Sequence, residues 1–189
     1  MGRLPFDTDG FQKLFNMISL RYKLYSIYFY DAIKSSDKDP EGYSKQQKFH
    51  ARLSKIDEKL IIRTRKLRYL VSITDAQIES AGNEAGITGS CKEKLKQFLI
   101  NLKVLKLTKE KGMDVQLVVD AVEEARAKKV EAIILLSGDA DFVPAIHLIN
   151  SYGLKTINLH TYVGSSTELR KACNEHILID FNEKGLFLK

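Results

Sequence analysis

The sequence predicts an α/β fold built around a mostly parallel β-sheet. Two observations carry this. From Gly112 to the end, apolar stretches alternate with amphipathic helical ones, the pattern of βαβ units. Within that alternation, "VEAIILLSGD" (residues 130–139) is apolar almost throughout, as a strand covered on both faces is.

The elements follow in order. "DTDGFQKLFNMISL" predicts a helix: Asp7 or Asp9 can cap it, and Phe11, Leu14, Phe15 and Ile18 recur at helical spacing. "KLYSIYFYD" (residues 23–31) predicts a strand, with Asp31 at its end reading as turn chemistry. After a polar loop with Pro40 and Gly42, residues 44–60 predict a helix with Phe49, Leu53, Ile56 and Leu60 as its buried stripe. Lys45, Lys48, Arg52, Lys55 and Lys59 run beside that stripe. They are either a rail for phosphates or boundary cations whose stems cover the core edge. "LIIRTRKLRYL" predicts a basic strand carrying Arg63 and Arg65.

Residues 70–109 read as a helical insertion within one domain spanning 1–189. Its second half is the better helix: Ser90 and Glu93 form a capping box, and Cys91, Leu95, Phe98 and Leu102 share a face. The insertion is a lid, a surface for a protein partner or a second copy, or a passive decoration. Beyond it, "GMDVQLVVDAVEEARAKK" predicts a helix with Val115, Val118, Val119 and Val122 facing inward. "DFVPAIHLINSYG" predicts a helix closed by Gly153. "LKTINLHTY" is a strand, "SSTELRKACNE" a helix with a Ser165/Glu168 capping box, and "HILIDF" a last strand.

Composition bounds the function. Hydrophobic residues are 44% of 189 and charged ones 29%, an ordinary globular balance. A net charge of +6 is compatible with RNA binding without requiring it. Cys91 and Cys173 stand far apart and form no CxxC pair, which argues against a zinc site. The N-terminus is unlike a signal or transit peptide, and no apolar run reaches membrane-spanning length. A cytoplasmic protein is expected.

The chemistry concentrates in "LLSGDADFVPAI". Ligands of open parallel sheets bind beyond the carboxyl ends of the strands, and Asp139 and Asp141 stand at such an end. Two carboxylates there repel each other unless something offsets them, and a hard cation such as Mg²⁺ does so. Asp141 is also well placed to cap the following helix, with Pro144 in its first turn, whereas Asp139 has no comparable structural role. Asp114, at the start of its helix, is expected to lean toward the sheet; Asp120 is a supporting acid or a structural hydrogen-bonder. No nucleophile motif and no phosphate-binding glycine loop are present.

These segments resemble the NYN family, the LabA-like branch of the PIN-domain nuclease superfamily. "KEKGMDVQLVVDAV" resembles its K-x-VD-x-x-L-x-x-D segment through Lys111, Asp114 and Asp120. "LLSGDADFVPAI" resembles its SGD-x-DF signature through Ser137, Asp139 and Asp141. The resemblance implies a Rossmann-like three-layer α/β/α fold and an acidic site that holds Mg²⁺ or Mn²⁺ and cuts RNA. By position, Asp114, Asp139 and Asp141 would be metal ligands, with Ser137 and Asp120 in support. Lys48, Arg52, Lys55, Arg63, Arg65 and Lys111 would contact RNA. Two departures bear on activity. Family members usually begin with an apolar strand ending in Asp, in the middle of the sheet, and no such segment precedes the first helix here. The expectation is that the natural chain starts further upstream or that this sequence is a fragment. An Asp usual near the last helix is here Asn174. The alternative to a ribonuclease is therefore a degenerate NYN domain that binds RNA or a protein without cutting.

Overall fold

Helices and strands alternate along the chain: α1 (Thr8–Ser19), β1 (Ile27–Ile33), α2 (Pro40–Leu53), β2 (Leu60–Lys66), β3 (Arg68–Leu70), α3 (Asp75–Glu84), α4 (Ser90–Asn101), β4 (Leu107–Lys109), α5 (Met113–Ala127), β5 (Ala132–Leu136), α6 (Val143–Ser151), β6 (Lys155–His160), α7 (Thr167–Ala172), β7 (Glu175–Asn182) and β8 (Gly185–Leu188). This computed structural model describes residues 7–70, 75–101, 107–109, 112–182 and 185–189. β1 and β2 pair in parallel, as do β5 with β6 and β6 with β7; β8 closes the second sheet antiparallel to β7. The fold is α/β with mostly parallel pairing. β3 and β4, which flank α3 and α4 in the chain, form a short antiparallel pair.

Local chemistry sets the ends. Asp7 caps α1 by accepting from the Gly10 N–H at 2.8 Å. Pro40 opens α2 earlier than periodicity indicates, because its fixed φ suits a first helical turn and Asp39 caps it through Gly42. The same helix stops at Leu53, and Leu60 belongs to β2. "LIIRTRKLRYL" is two strands, interrupted at Leu67. Ser166, not Ser165, caps α7 by accepting from the Glu168 and Leu169 N–H groups. Ser165 instead accepts from Arg170.

The helices make two layers. Phe11, Leu53, Leu60 and Phe29 pack together between α1, α2 and the first sheet. Leu14 and Ile18 of the same α1 pack on Ile157, Leu159, Ile177 and Ile179 of the second. On the opposite face, Leu117 and Val118 of α5 meet Leu135, Phe142 and Leu169. α5 also reaches the first sheet, where Glu124 accepts from the Tyr28 hydroxyl at 2.5 Å and Asp120 from that of Tyr30 at 3.0 Å. Two expected inward residues are corrected here. Val115 and Val119 are 65% and 44% exposed, because α5 turns Leu117, Val118, Val122 and Ala125 to the core instead. Phe98 is 57% exposed, so the expected apolar face of α4 is not buried there.

α5 serves as a ruler for strand direction. Along β1 the partners run from Glu124 at Tyr28 to Asp120 at Tyr30, so β1 is antiparallel to α5. Along β5, Ile133 groups with Ala125 and Leu135 with Val118, which is again antiparallel. β1 and β5 therefore run the same way under one helix, and their carboxyl ends share one edge with the start of α5. Among the described residues each has a hydrogen-bonded neighbour on one side only. β5, although apolar at every position, is mostly half-buried, while Thr156 to Leu159 of β6 are buried. An apolar strand with an open edge is incompletely satisfied.

Candidate active site at the carboxyl edge

β5 ends at Leu136, and the chain turns through Ser137, Gly138 and Asp139 into a 3₁₀ turn, Ala140–Phe142, that leads into α6. The Ser137 Oγ accepts from the Asp139 N–H at 3.1 Å, and the Asp139 Oδ1 accepts from the Asp141 N–H at 2.9 Å. Asp139 is thus the capping residue, and Asp141 is not. The expected division of labour is reversed, because the helix proper starts only at Val143, two residues beyond Asp141. The Asp141 carboxylate, exposed, has no hydrogen-bond or ionic partner among the described residues. Asp139, also exposed, has no partner for its second oxygen among the described residues.

Two contacts clamp this turn from behind. The amide of Asn158, fully buried in β6, donates to the Ser137 carbonyl at 2.9 Å and the Leu135 carbonyl at 3.1 Å. Gly138 lies against the backbone of Gly164, and its carbonyl accepts from the Ser166 N–H at 2.9 Å. Sequence reading missed Asn158; the signal was an amide between the core residues Ile157 and Leu159. Asn158→Ala leaves two carbonyls without their donor, and a loss of about 2–4 kcal/mol is expected from that and the vacated volume. Urea denaturation measures it; a loss under about 1 kcal/mol would mean that water replaces the amide.

The other candidate acids separate. Asp114 lies in the first turn of α5 and is exposed, rather than leaning on the sheet. Its helix starts from Gly112 at φ 90°, a conformation that favours glycine, and no side chain caps it. Asp120 is buried and saturated: Oδ2 accepts from Tyr30 and from Arg63 Nε at 3.2 Å, and Oδ1 from Gln116 at 2.8 Å. The lost solvation, with the Asp120 carboxylate beside it, pushes the Tyr30 phenol well above its ordinary pKa. Asn174 points elsewhere. Its Oδ1 accepts from the Thr156 N–H at 2.7 Å, near the start of β6 and so at the opposite end from Asp139. Asp31 is more than turn chemistry: inside β1, it accepts from Gln46 at 2.7 Å and pairs with His50 Nε2 at 2.8 Å.

The basic residues also divide. Lys48 is exposed on α2, while Arg52 and Lys55 share a pocket with Asp7 and Asp9, whose charges oppose theirs. Arg63, Thr64 and Arg65 line a second pocket, of about 380 Å³, with Met113 and Gln116 of α5. Lys111 lies outside the described residues.

A hard divalent cation needs several oxygen donors. The donor type fits: Asp114, Asp139 and Asp141 are exposed carboxylates near one edge. The donor number does not, since among the described residues no three His, Cys, Asp or Glu side chains gather closely enough to hold a metal.

A parallel-sheet α/β domain with an acidic turn at the strand ends is the class these features define. The NYN domain model matches residues 3–180, and the chain belongs to that family, within the PIN-like nuclease superfamily. A solved protein of unknown function from Vibrio parahaemolyticus is similar in fold, with a TM-score of 0.55 and 20% identity; the match covers 96% of this chain and 82% of that one. No curated protein matches. Among the described residues, no helix is long and apolar enough to cross a membrane.

Proposed function

We propose that this chain is a LabA-like NYN ribonuclease domain that hydrolyses RNA phosphodiesters at the carboxyl edge of the sheet, dependent on Mg²⁺ or Mn²⁺. The turn Ser137–Asp141 carries the reading. It holds two exposed carboxylates on a rigid support, one of them free of any structural duty among the described residues. The open edges of β1 and β5, under one helix and running the same way, fit a further parallel strand between them. The proposed location is the cytoplasm, where both free cysteines stay reduced.

The alternative is a degenerate NYN module that binds RNA or a protein without cutting. Incubating the purified protein with end-labelled single-stranded RNA separates the two. Cleavage in Mg²⁺ or Mn²⁺ that stops in EDTA supports the ribonuclease. RNA binding without cleavage under every metal condition supports the module.

A further inference from the structure

We propose that the pocket between the end of β2 and the first turns of α5 is a phosphate subsite for single-stranded RNA. This deepens the ribonuclease reading and rests on it for the identity of the polymer. The pocket is lined by Arg63, Thr64, Arg65, Met113 and Gln116. Its two guanidinium groups are held in place from behind. Arg63 Nε donates to Asp120 Oδ2 at 3.2 Å, and Arg65 Nη2 donates to Gln116 Oε1 at 3.0 Å. Gln116 in turn donates to Asp120 Oδ1 at 2.8 Å, so the buried carboxylate organises the whole group.

Each of these bonds uses one of the five N–H donors of a guanidinium, and the remainder are available to an anion. Arginines fixed this way lose little freedom on binding, and their planar forks match phosphate oxygens. Asp120 cancels one of the two charges and leaves one for the ligand. On this reading Asp120 is a positioning residue and not a catalytic acid.

The neighbouring aromatic residues fix the pocket further. Tyr28 and Tyr30 stand on the same face of the sheet, their rings 6.3 Å apart and nearly parallel, and the Arg63 guanidinium lies 5.7 Å from the Tyr28 ring. Both rings are half-buried, with their hydroxyls bonded to Glu124 and Asp120 of α5, so the pair braces the Arg63 guanidinium from the side away from the pocket's ligand. The basic stripe of α2 lacks this arrangement: Lys45 pairs with Glu41, and Arg52 and Lys55 face Asp7 and Asp9. The subsite lies on the edge that α5 shares with the Ser137–Asp141 turn.

The test is fluorescence anisotropy with a labelled oligouridylate in EDTA, where no metal-dependent cleavage intervenes. Arg65→Ala is the informative variant, because Arg65 is exposed and its described partner is a neutral amide. Its affinity is expected to fall about tenfold or more, the loss of one charge-assisted contact. The slope of log affinity against log salt is expected to shrink by about 0.7. Arg65→Lys should recover part of the affinity and the full slope. A Lys48→Ala, Arg52→Ala, Lys55→Ala triple variant is expected to bind within about twofold of wild type, as boundary cations would.

Unchanged affinity and slope in Arg65→Ala would overturn the subsite. So would competition by polyglutamate as strong as that of unlabelled RNA, which would make the pocket a carboxylate site. Failure of the ribonuclease reading looks different: RNA binds and Arg65→Ala weakens it, yet nothing is cut in Mg²⁺ or Mn²⁺.

Discussion

Asp139→Asn is expected to lower RNA cleavage by about 100-fold or more while leaving stability within about 0.5 kcal/mol of wild type. The two halves of this expectation have one source. Asp139 uses Oδ1 to accept from the Asp141 N–H, and an asparagine carbonyl accepts the same bond. Asparagine is as good a capping residue as aspartate. The turn therefore survives, and only a negative charge is removed from the acidic wall. Asp139→Ala would confuse the result, since losing the cap itself costs about 1 kcal/mol. Asp141→Asn is the companion, because that carboxylate has no partner among the described residues and its removal should leave the melting temperature unchanged. The measurements are initial rates on labelled RNA, thermal melts, and Mn²⁺ binding followed by electron paramagnetic resonance. A rate within a few-fold of wild type for Asp139→Asn would remove this turn from the active site.

Large parts of the fold were legible because runs of apolar residues alternating with amphipathic helices leave a plain mark. β5 is apolar at all five positions, and Ile157 and Leu159 give β6 its apolar core, so the strands and their mostly parallel pairing follow from pattern. Capping was less legible. Asp139 and Asp141, like Ser165 and Ser166, are all cap-forming residue types, and a shift of one or two positions decides which one is used. β8 went unread because four residues give periodicity too little to work on.

Of the site, the acidic turn was visible because its residues are contiguous. The role of Asp120 was not, because its partners Tyr30 and Arg63 lie 90 and 57 positions away, and no local pattern couples them. Asn158 is a similar case. Its partners lie on the neighbouring strand, and only the pairing of β5 with β6 brings them together. Motif reading finds groups that face solvent at a strand end. It does not find the groups behind them that hold the turn in place.

Gly138→Ala tests that hidden support most severely. A Cβ at residue 138 would sit 1.7 Å from the Gly164 carbonyl oxygen and 3.2 Å from the Ser165 Cα. Both are backbone atoms, so no side-chain rotation relieves the clash. One loop must move, and the bond from the Ser166 N–H to the Gly138 carbonyl is then lost or bent. Destabilisation of about 3 kcal/mol is expected, at the upper end for overpacking. Residue 138 immediately precedes Asp139, so displacement of the turn also displaces the carboxylates. A misplacement of about 1 Å is enough for a 100-fold loss of rate. Gly164→Ala is the control from the other side of the contact. There φ is 74° and no atom lies near the added Cβ, so the cost is conformational, about 1–2 kcal/mol. If close approach is what holds the turn, Gly138→Ala loses more stability and far more activity than Gly164→Ala, as urea denaturation and initial rates would record. Equal effects from the two variants would mean that the loops move together and that the turn needs no clamp.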